Sequence, residues 1–423
     1  MSIFELVAII LTISAVLGFI NQRFFKLPTT IGIMLISLGF SLILVLLGQV
    51  IPGIADGATS LVNQIDFREA LLDVMLSYLL FAGALHVNLL DLAKQRRIIA
   101  LMSTMGVIIS TFLVGGCVYF LLPLFGIEVK FIYCLLFGSL VSPTDPVAVL
   151  GILKKAGVNK ELETKITGES LFNDGIGVVV FLAILGIASG EHELSVGHIA
   201  HLFAVEALGG VILGAALGGV CYYMLKTIDN YQIEVLVTLA LVTGGYALAL
   251  AIHVSGPLAM VVAGLMIGNQ GRAFAMSDKT RGHLDLFWEL IDEILNALLF
   301  ALIGLELILV AQSFHGSWFF IGLLTIIVVL LCRLVAVSIP VYTLKPFRKF
   351  SEGSIRMLTW GGLRGGISIA LALALPKDMG EIRDLFLTMT YFVVIFSIAV
   401  QGLTVGKLYQ SFGRTKKGKT EAA

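Results

Sequence analysis

Neither sign of charge is in excess in this sequence. Its 28 Lys and Arg are matched by 28 Asp and Glu, so no basic surplus is left to hold a nucleic-acid backbone. Charge is also scarce: 13% of the 423 residues are charged and 58% are hydrophobic, too little polar surface to enclose a soluble globule. The four cysteines, Cys117, Cys134, Cys221 and Cys332, stand singly inside apolar runs without metal-ligand spacing and read as small core residues. No basic segment and no small-residue cleavage site accompany the opening MSIFELVAII, which reads as a retained first span and not as a signal peptide. There is no paired GxGD-type aspartate motif, no HExxH zinc motif and no convincing serine and histidine pair, which argues against an intramembrane enzyme. Linkers rich in Pro and Ser are missing too, and only the short basic tail SFGRTKKGKTEAA (411–423) is expected to be disordered.

What fills the chain is apolar length. Runs near 20 residues recur from end to end, each about long enough for an α-helix to cross roughly 30 Å of hydrocarbon. The expected fold is an all-α polytopic membrane protein, one domain over 1–410, with about thirteen transmembrane helices. They begin near residues 3, 31, 69, 98, 128, 166, 199, 233, 255, 285, 317, 356 and 382. An odd count puts the termini on opposite faces. With the N-terminus outside and the C-terminus cytoplasmic, 22 Lys and Arg fall on inner segments, in clusters such as Lys94, Arg96 and Arg97 or Lys154, Lys155, Lys160 and Lys165. The outer segments hold four, Arg68, Lys130, Lys377 and Arg383. That asymmetry is the positive-inside pattern of a multi-pass inner-membrane protein whose solvent is lipid.

Two spans are interrupted. SPTDPVAV (142–149) breaks the fifth and GGLRGGIS (361–368) breaks the twelfth, about 220 residues later. A spacer span between two six-helix halves would place each break in the fifth span of its half and invert one half relative to the other, the layout of many secondary transporters.

Pro143 and Pro146 remove backbone donors and disfavour helix at the residues before them, so the turn around Thr144 and Asp145 should be unwound. Free carbonyls and a carboxylate then meet at membrane depth, which is what a hard monovalent cation needs in exchange for its water. In the sixth span, TGESLFNDGIGVVVFLAIL, spacings of four stack Glu169 over Asn173 and Ser170 over Asp174. Carboxylates at this depth are costly unless they face a partner or an aqueous path, and burial makes a carboxylate hold its proton more tightly. Such a group can carry either a proton or a cation, the minimal requirement for exchange. Arg333 and Arg364 lie inside apolar stretches and cannot lose their charge, so each needs a compensating partner. For Arg333 the expected partner is Glu169. Arg364, between glycine pairs, would balance the ends of the broken helix or snorkel toward the cytoplasmic edge. Span ten repeats Asp285, Glu289, Asp292 and Glu293 at helical spacing, and Glu289 and Asp292 could line a cytoplasmic funnel. His86 and His283 are candidates for a pH sensor, although lone histidines are more often structural.

Taken together, SPTDPVAV, GESLFNDGIGVVVF, LLCRLVAV and GGLRGGISIALALALP resemble the monovalent cation:proton antiporter family that includes prokaryotic NhaP-type sodium/proton antiporters and the animal sodium/hydrogen exchangers. The resemblance spans almost the whole chain. It implies a homodimer, with dimerisation helices at about 3–50 and 199–271 and a mobile core at about 69–189 and 285–406, in which unwound spans five and twelve cross. It implies that Asp145 and Asp174 bind the cation and the proton, with the Thr144 backbone and Ser170 completing a sodium shell, and that Glu169 and Arg333 are a structural pair. Asn173 before Asp174 is similar to the electroneutral, one-for-one class. No cofactor is implied beyond the transported Na⁺, Li⁺ or K⁺ and H⁺, and cation and pH homeostasis is the implied role. The span-three motif FAGALHVNL lacks the acid that some relatives place there. A potassium/proton exchanger fits the same motifs. A cation channel would need a continuous polar pore, whereas these acids gather at one depth beside two broken helices.

Overall fold

The computed structural model describes residues 3–51, 53, 59–60, 69–145, 153, 158, 160–190, 196–346 and 353–420, and among these every regular element is helical. Helices α1 (Ile3–Ile20) and α2 (Thr29–Val50) are joined at a turn where Lys26 takes a left-handed φ of 54°. The Asn21 side chain makes that turn possible by bonding both the N–H and the carbonyl of Leu27, at 3.3 and 3.0 Å. A π-helical stretch, Glu69–Met75, leads into α3 (Leu76–Leu85); then follow α4 (Leu89–Ser103), α5 (Met105–Leu121), α6 (Phe131–Leu140) and α7 (Lys160–Ala188). Next come α8 (Val196–Thr227), α9 (Tyr231–Ala251) and α10 (Gly256–Met266), which runs on as a π-helical segment, Ile267–Gly271. The last part of the chain forms α11 (Asp278–Gln312), α12 (Gly316–Leu344), α13 (Ser354–Trp360), α14 (Gly366–Leu373), α15 (Glu381–Phe396), a π-helical segment (Ser397–Gly402) and α16 (Leu403–Thr420). Nine helical stretches among the described residues are long and apolar enough to cross a membrane.

Local chemistry sets the boundaries. Asn88, Asn230, Ser255 and Ser277 cap α4, α9, α10 and α11 by accepting backbone N–H groups of the first turn. Because Asn88 caps, α4 begins at Leu89, ahead of the span expected near 98, and Lys94, Arg96 and Arg97, expected on an inner segment, lie on a helix. Helix α7 likewise starts at Lys160 and not near 166. The tail expected to be disordered from Ser411 continues α16 to Thr420 instead, since no proline stops it.

Packing is close where glycine permits it. A Cβ on Gly264 of α10 or on Gly268 of the π-helical segment after it would collide with the carbonyls of Phe81 and Leu85 on α3, so the two stretches cross with their backbones nearly touching. The interior is filled by aromatics: Trp288 of α11 packs on Phe81 with ring centres 4.7 Å apart and donates Nε1–H to Thr238 of α9 at 3.1 Å. All four cysteines are free; Cys134, Cys221 and Cys332 are buried as small core residues, whereas Cys117 is exposed on the flank of α5.

Candidate functional site

Helix α6 ends because Pro143 follows Ser142. Ser142 turns its hydroxyl back onto the Gly138 carbonyl at 2.7 Å, and residues 143–145 carry no helix. The second interruption lies between α13 and α14, where 362–365 carry no helix. Its backbone is held by a relay from the π-helical segment after α15. Ser397 Oγ accepts the Arg364 N–H at 2.8 Å and donates to Gln401 Oε1 at 2.8 Å, and Gln401 Nε2 donates to the Trp360 carbonyl at 3.1 Å.

The two breaks meet. Asp145 N–H donates to the Leu363 carbonyl at 2.8 Å, a backbone bond between residues more than 200 positions apart. Gly365 lies against the Asp145 side chain so closely that a Cβ there would overlap the carboxylate. Each break thus satisfies a polar group that the other leaves open, as non-helical backbone at membrane depth requires.

Helix α7 crosses behind this junction. Asn173 spends its whole amide on Thr144: Oδ1 accepts the Thr144 N–H at 3.2 Å and Nδ2 donates to Thr144 Oγ1 at 2.7 Å. Ser170 Oγ sits 3.1 Å from the same hydroxyl. Thr144, Ser170 and Asn173 are all buried and form one linked cluster. Gly177 makes room for Pro143, since a Cβ would strike the proline ring. One turn on from Ser170, Asp174 is also buried, and its Oδ1 has no hydrogen-bond partner among the described residues.

Asp145 and Asp174 both line a cavity of about 620 Å³. The expected funnel residues Glu289 and Asp292 line it too, with Asn296 one turn deeper on α11. At its mouth Asp91 of α4 pairs with Lys160 of α7 at 2.7 Å and with Lys94 at 3.0 Å. His86 lines the same mouth, and its Nδ1 is 3.4 Å from Nη2 of Arg272, which pairs with Asp285. His283 lies elsewhere, stacked on Tyr231 with ring centres 4.3 Å apart.

Arg333 of α12 and Glu169 of α7 form the expected pair, with Nη2 and Oε1 2.5 Å apart and both residues buried. Arg333 also donates to the Leu358 carbonyl at 3.3 Å and lies flat against Gly362, where any Cβ would push its guanidinium aside. Arg364 does not snorkel. It is buried at 2% exposure and donates Nη1–H to the Gly362 carbonyl at 3.1 Å, at the end of its own broken helix.

Sequence reasoning missed Asp91, Lys160, Glu163 and Asn296, which complete the cavity wall. Asp91 alone left a trace, as the acid three residues after the Asn88 cap. It missed Asn269 as well, whose amide ties the α3–α4 turn to the end of α10 through the Val87 carbonyl at 3.0 Å and the Leu89 N–H at 2.8 Å.

Residues 9–410 match the family model described as sodium/hydrogen exchanger, transmembrane. The chain is 53% identical over 411 residues to the Na(+)/H(+) antiporter NhaP of Pseudomonas aeruginosa, covering 96% of each chain. It is 33% identical to the Na(+)/H(+) antiporter NhaH of Halobacillus aidingensis, again over 96% of each. Its fold is similar to that of the sodium proton antiporter MjNhaP1 from Methanocaldococcus jannaschii, with a TM-score of 0.76, 20% identity and coverage of 96% and 97% of the two chains. With broken helices that meet, buried carboxylates beside them and a family match over nearly its whole length, this chain belongs to the sodium/hydrogen exchanger transmembrane family.

Proposed function

We propose that this protein exchanges Na⁺, and Li⁺, for H⁺ across the bacterial inner membrane, one for one, and so serves cation and pH homeostasis. The observation that carries this reading is the junction itself: Asp145, pinned by Leu363 of the opposite break, and Asp174, with one oxygen unpartnered among the described residues, lining one cavity. Two neighbouring carboxylates at one cavity suit a cation or a proton but not both at once. Ser170 and the Thr144 carbonyl complete the cation shell. Asn173, whose amide is consumed by Thr144, acts by positioning the unwound strand.

Charge counting supports the one-for-one stoichiometry. Around the breaks, Asp145, Asp174 and Glu169 oppose Arg333 and Arg364, so three carboxylates against two guanidiniums leave one negative charge. A single Na⁺ or a single proton cancels it. Moving an uncancelled charge through low dielectric is costly, so only the loaded site crosses, and exchange is coupled without net charge movement.

In this reading the chain has thirteen crossings, with its C-terminus and the cavity mouth in the cytoplasm, where Lys94, Lys160 and Arg272 gather. The core (about 69–189 and 285–406) moves against helices of about 3–50 and 199–271, which hold a homodimer together. The inverted repeat rests on the meeting of the two breaks.

The test is the pH change inside proteoliposomes on adding Na⁺, Li⁺ or K⁺, with and without a clamped membrane potential. Proton movement driven by Na⁺ and Li⁺ and indifferent to the clamp is expected. A response to K⁺ alone would move the assignment to potassium/proton exchange, and cation flux without proton movement would overturn it in favour of a channel.

A further inference from the structure

A small cavity of about 10 Å³ lies beside the second break, lined from α12, the end of α13, the break itself, α15 and the π-helical segment after it. That is room for one water-sized ligand. Arg333, Arg364, Thr359 and Gln401 bring the polar side chains of its lining, and among the described residues no carboxylate lines it.

The side-chain atoms left open here are donors. Arg364 is 2% exposed and gives Nη1–H to the Gly362 carbonyl, but its Nε and Nη2 meet no acceptor among the described residues. Arg333, also buried, spends Nη2 on Glu169 and on the Leu358 carbonyl, and its Nε is open in the same sense. The Thr359 hydroxyl is buried without a partner among them as well. Gln401 gives one amide N–H to the Trp360 carbonyl and has a second to give. A buried donor without an acceptor is costly, and more so when it is charged. Several of them around one small cavity call for a single shared acceptor.

Charge decides which acceptor. Glu169 is the carboxylate whose field acts on Arg364, and it is already joined to Arg333. A water oxygen would accept hydrogen bonds but leave the second guanidinium without a counter-charge at contact, whereas an anion supplies both. The volume admits one atom and excludes sulfate, phosphate or an organic acid.

We propose that this cavity is a halide site, taking chloride, held between Arg333 and Arg364 with the Thr359 hydroxyl as a further donor. Resting on the exchange reading above, the halide acts as a brake. It adds one negative charge to the count around the breaks, so a single Na⁺ or proton no longer brings that count to zero, and the loaded core keeps a charge that makes crossing costly. The same added charge attracts cations, so the brake falls on the rate of crossing and not on cation binding.

Crystals grown with bromide in place of chloride test the site. An anomalous-scattering peak between the two guanidiniums is expected, and water density there without anomalous signal would overturn the proposal. Proteoliposomes with equal halide on both faces test the brake. The maximal rate of Na⁺-driven proton flux should be several-fold lower in chloride than in gluconate, with the half-saturating Na⁺ unchanged or lower. Thr359→Val, which keeps the shape and removes one donor, should raise the half-inhibiting chloride about tenfold and leave the rate in gluconate unchanged, and Thr359→Ser should stay near wild type. Equal rates in chloride and gluconate, or a Thr359→Val response identical to wild type, would overturn the brake, and a bromide peak would then mark an adventitious ion only. Absence of exchange in both salts would count against the function proposed above, while the bromide measurement, which needs no transport, would still decide the site.

Discussion

At the scale of single residues, each buried ionisable group around the breaks has a distinct task. Arg333 and Glu169 neutralise each other, so removing one strands the other. Arg333→Ala or Glu169→Ala should cost about 3–5 kcal/mol, read as a lower melting temperature in detergent. Replacing both by methionine should recover much of that loss, because no charge is then left unpaired. Among the described residues Asp174 has no such partner, and Asp174→Asn should reduce Na⁺-driven proton flux to background while melting near wild type. Asn173→Ala separates positioning from binding. It removes two buried hydrogen bonds from Thr144, each worth about 1 kcal/mol, and should lower the maximal rate more than the apparent Na⁺ affinity. These roles were partly legible in the sequence: Pro143 and Pro146 announce an unwound Asp145, and the four-residue spacing joins Ser170 to Asp174. The Asn173 amide was not legible as a clamp, because its partner stands 29 positions away and nothing local requires that contact.

At the scale of elements, glycine decides which helices can approach. Gly365 touches the Asp145 carboxylate, whereas the Cβ of an alanine at Gly116 on α5 would meet nothing within 4 Å. Gly365→Ala should therefore abolish exchange, and Gly116→Ala should leave it intact with stability unchanged or raised by about 0.5–1 kcal/mol; initial rates and melting curves of the two variants compare them directly. The helices themselves were readable because apolar length is a one-dimensional property. The breaks were readable because proline and glycine carry their backbone consequences with them. The wall of the large cavity was not: Asp91, Lys160 and Asn296 reach it from α4, α7 and α11, and only tertiary packing brings those faces together. The helical start at Leu89 was missed for a smaller reason, since the charged Lys94–Arg97 stretch looks like a loop until the Asn88 cap is weighed.

At the scale of the whole molecule, the exchange proposed above makes proton and cation compete for one pair of carboxylates, and that competition would set the pH response. While the site is protonated, each unit of falling pH should raise the apparent half-saturating Na⁺ about tenfold, and with rising pH the value should level off once deprotonation is complete. Initial rates over a grid of pH and Na⁺ would reveal it, and parallel dose curves that keep one midpoint at every pH would mean that proton and cation occupy separate places.

The backbone bond from Asp145 to Leu363 also has a consequence for how the chain is made. Residue 363 is synthesised 218 positions after residue 145, which at about 5–20 residues per second is roughly 10–40 s of translation. Throughout that interval the first break is inserted without the carbonyl that completes it. The nascent first half must wait, shielded by the insertion machinery or by its own neighbouring helices, until the second break arrives, so a ribosome stalled between the two would release a product that the membrane quality-control proteases recognise as unfinished.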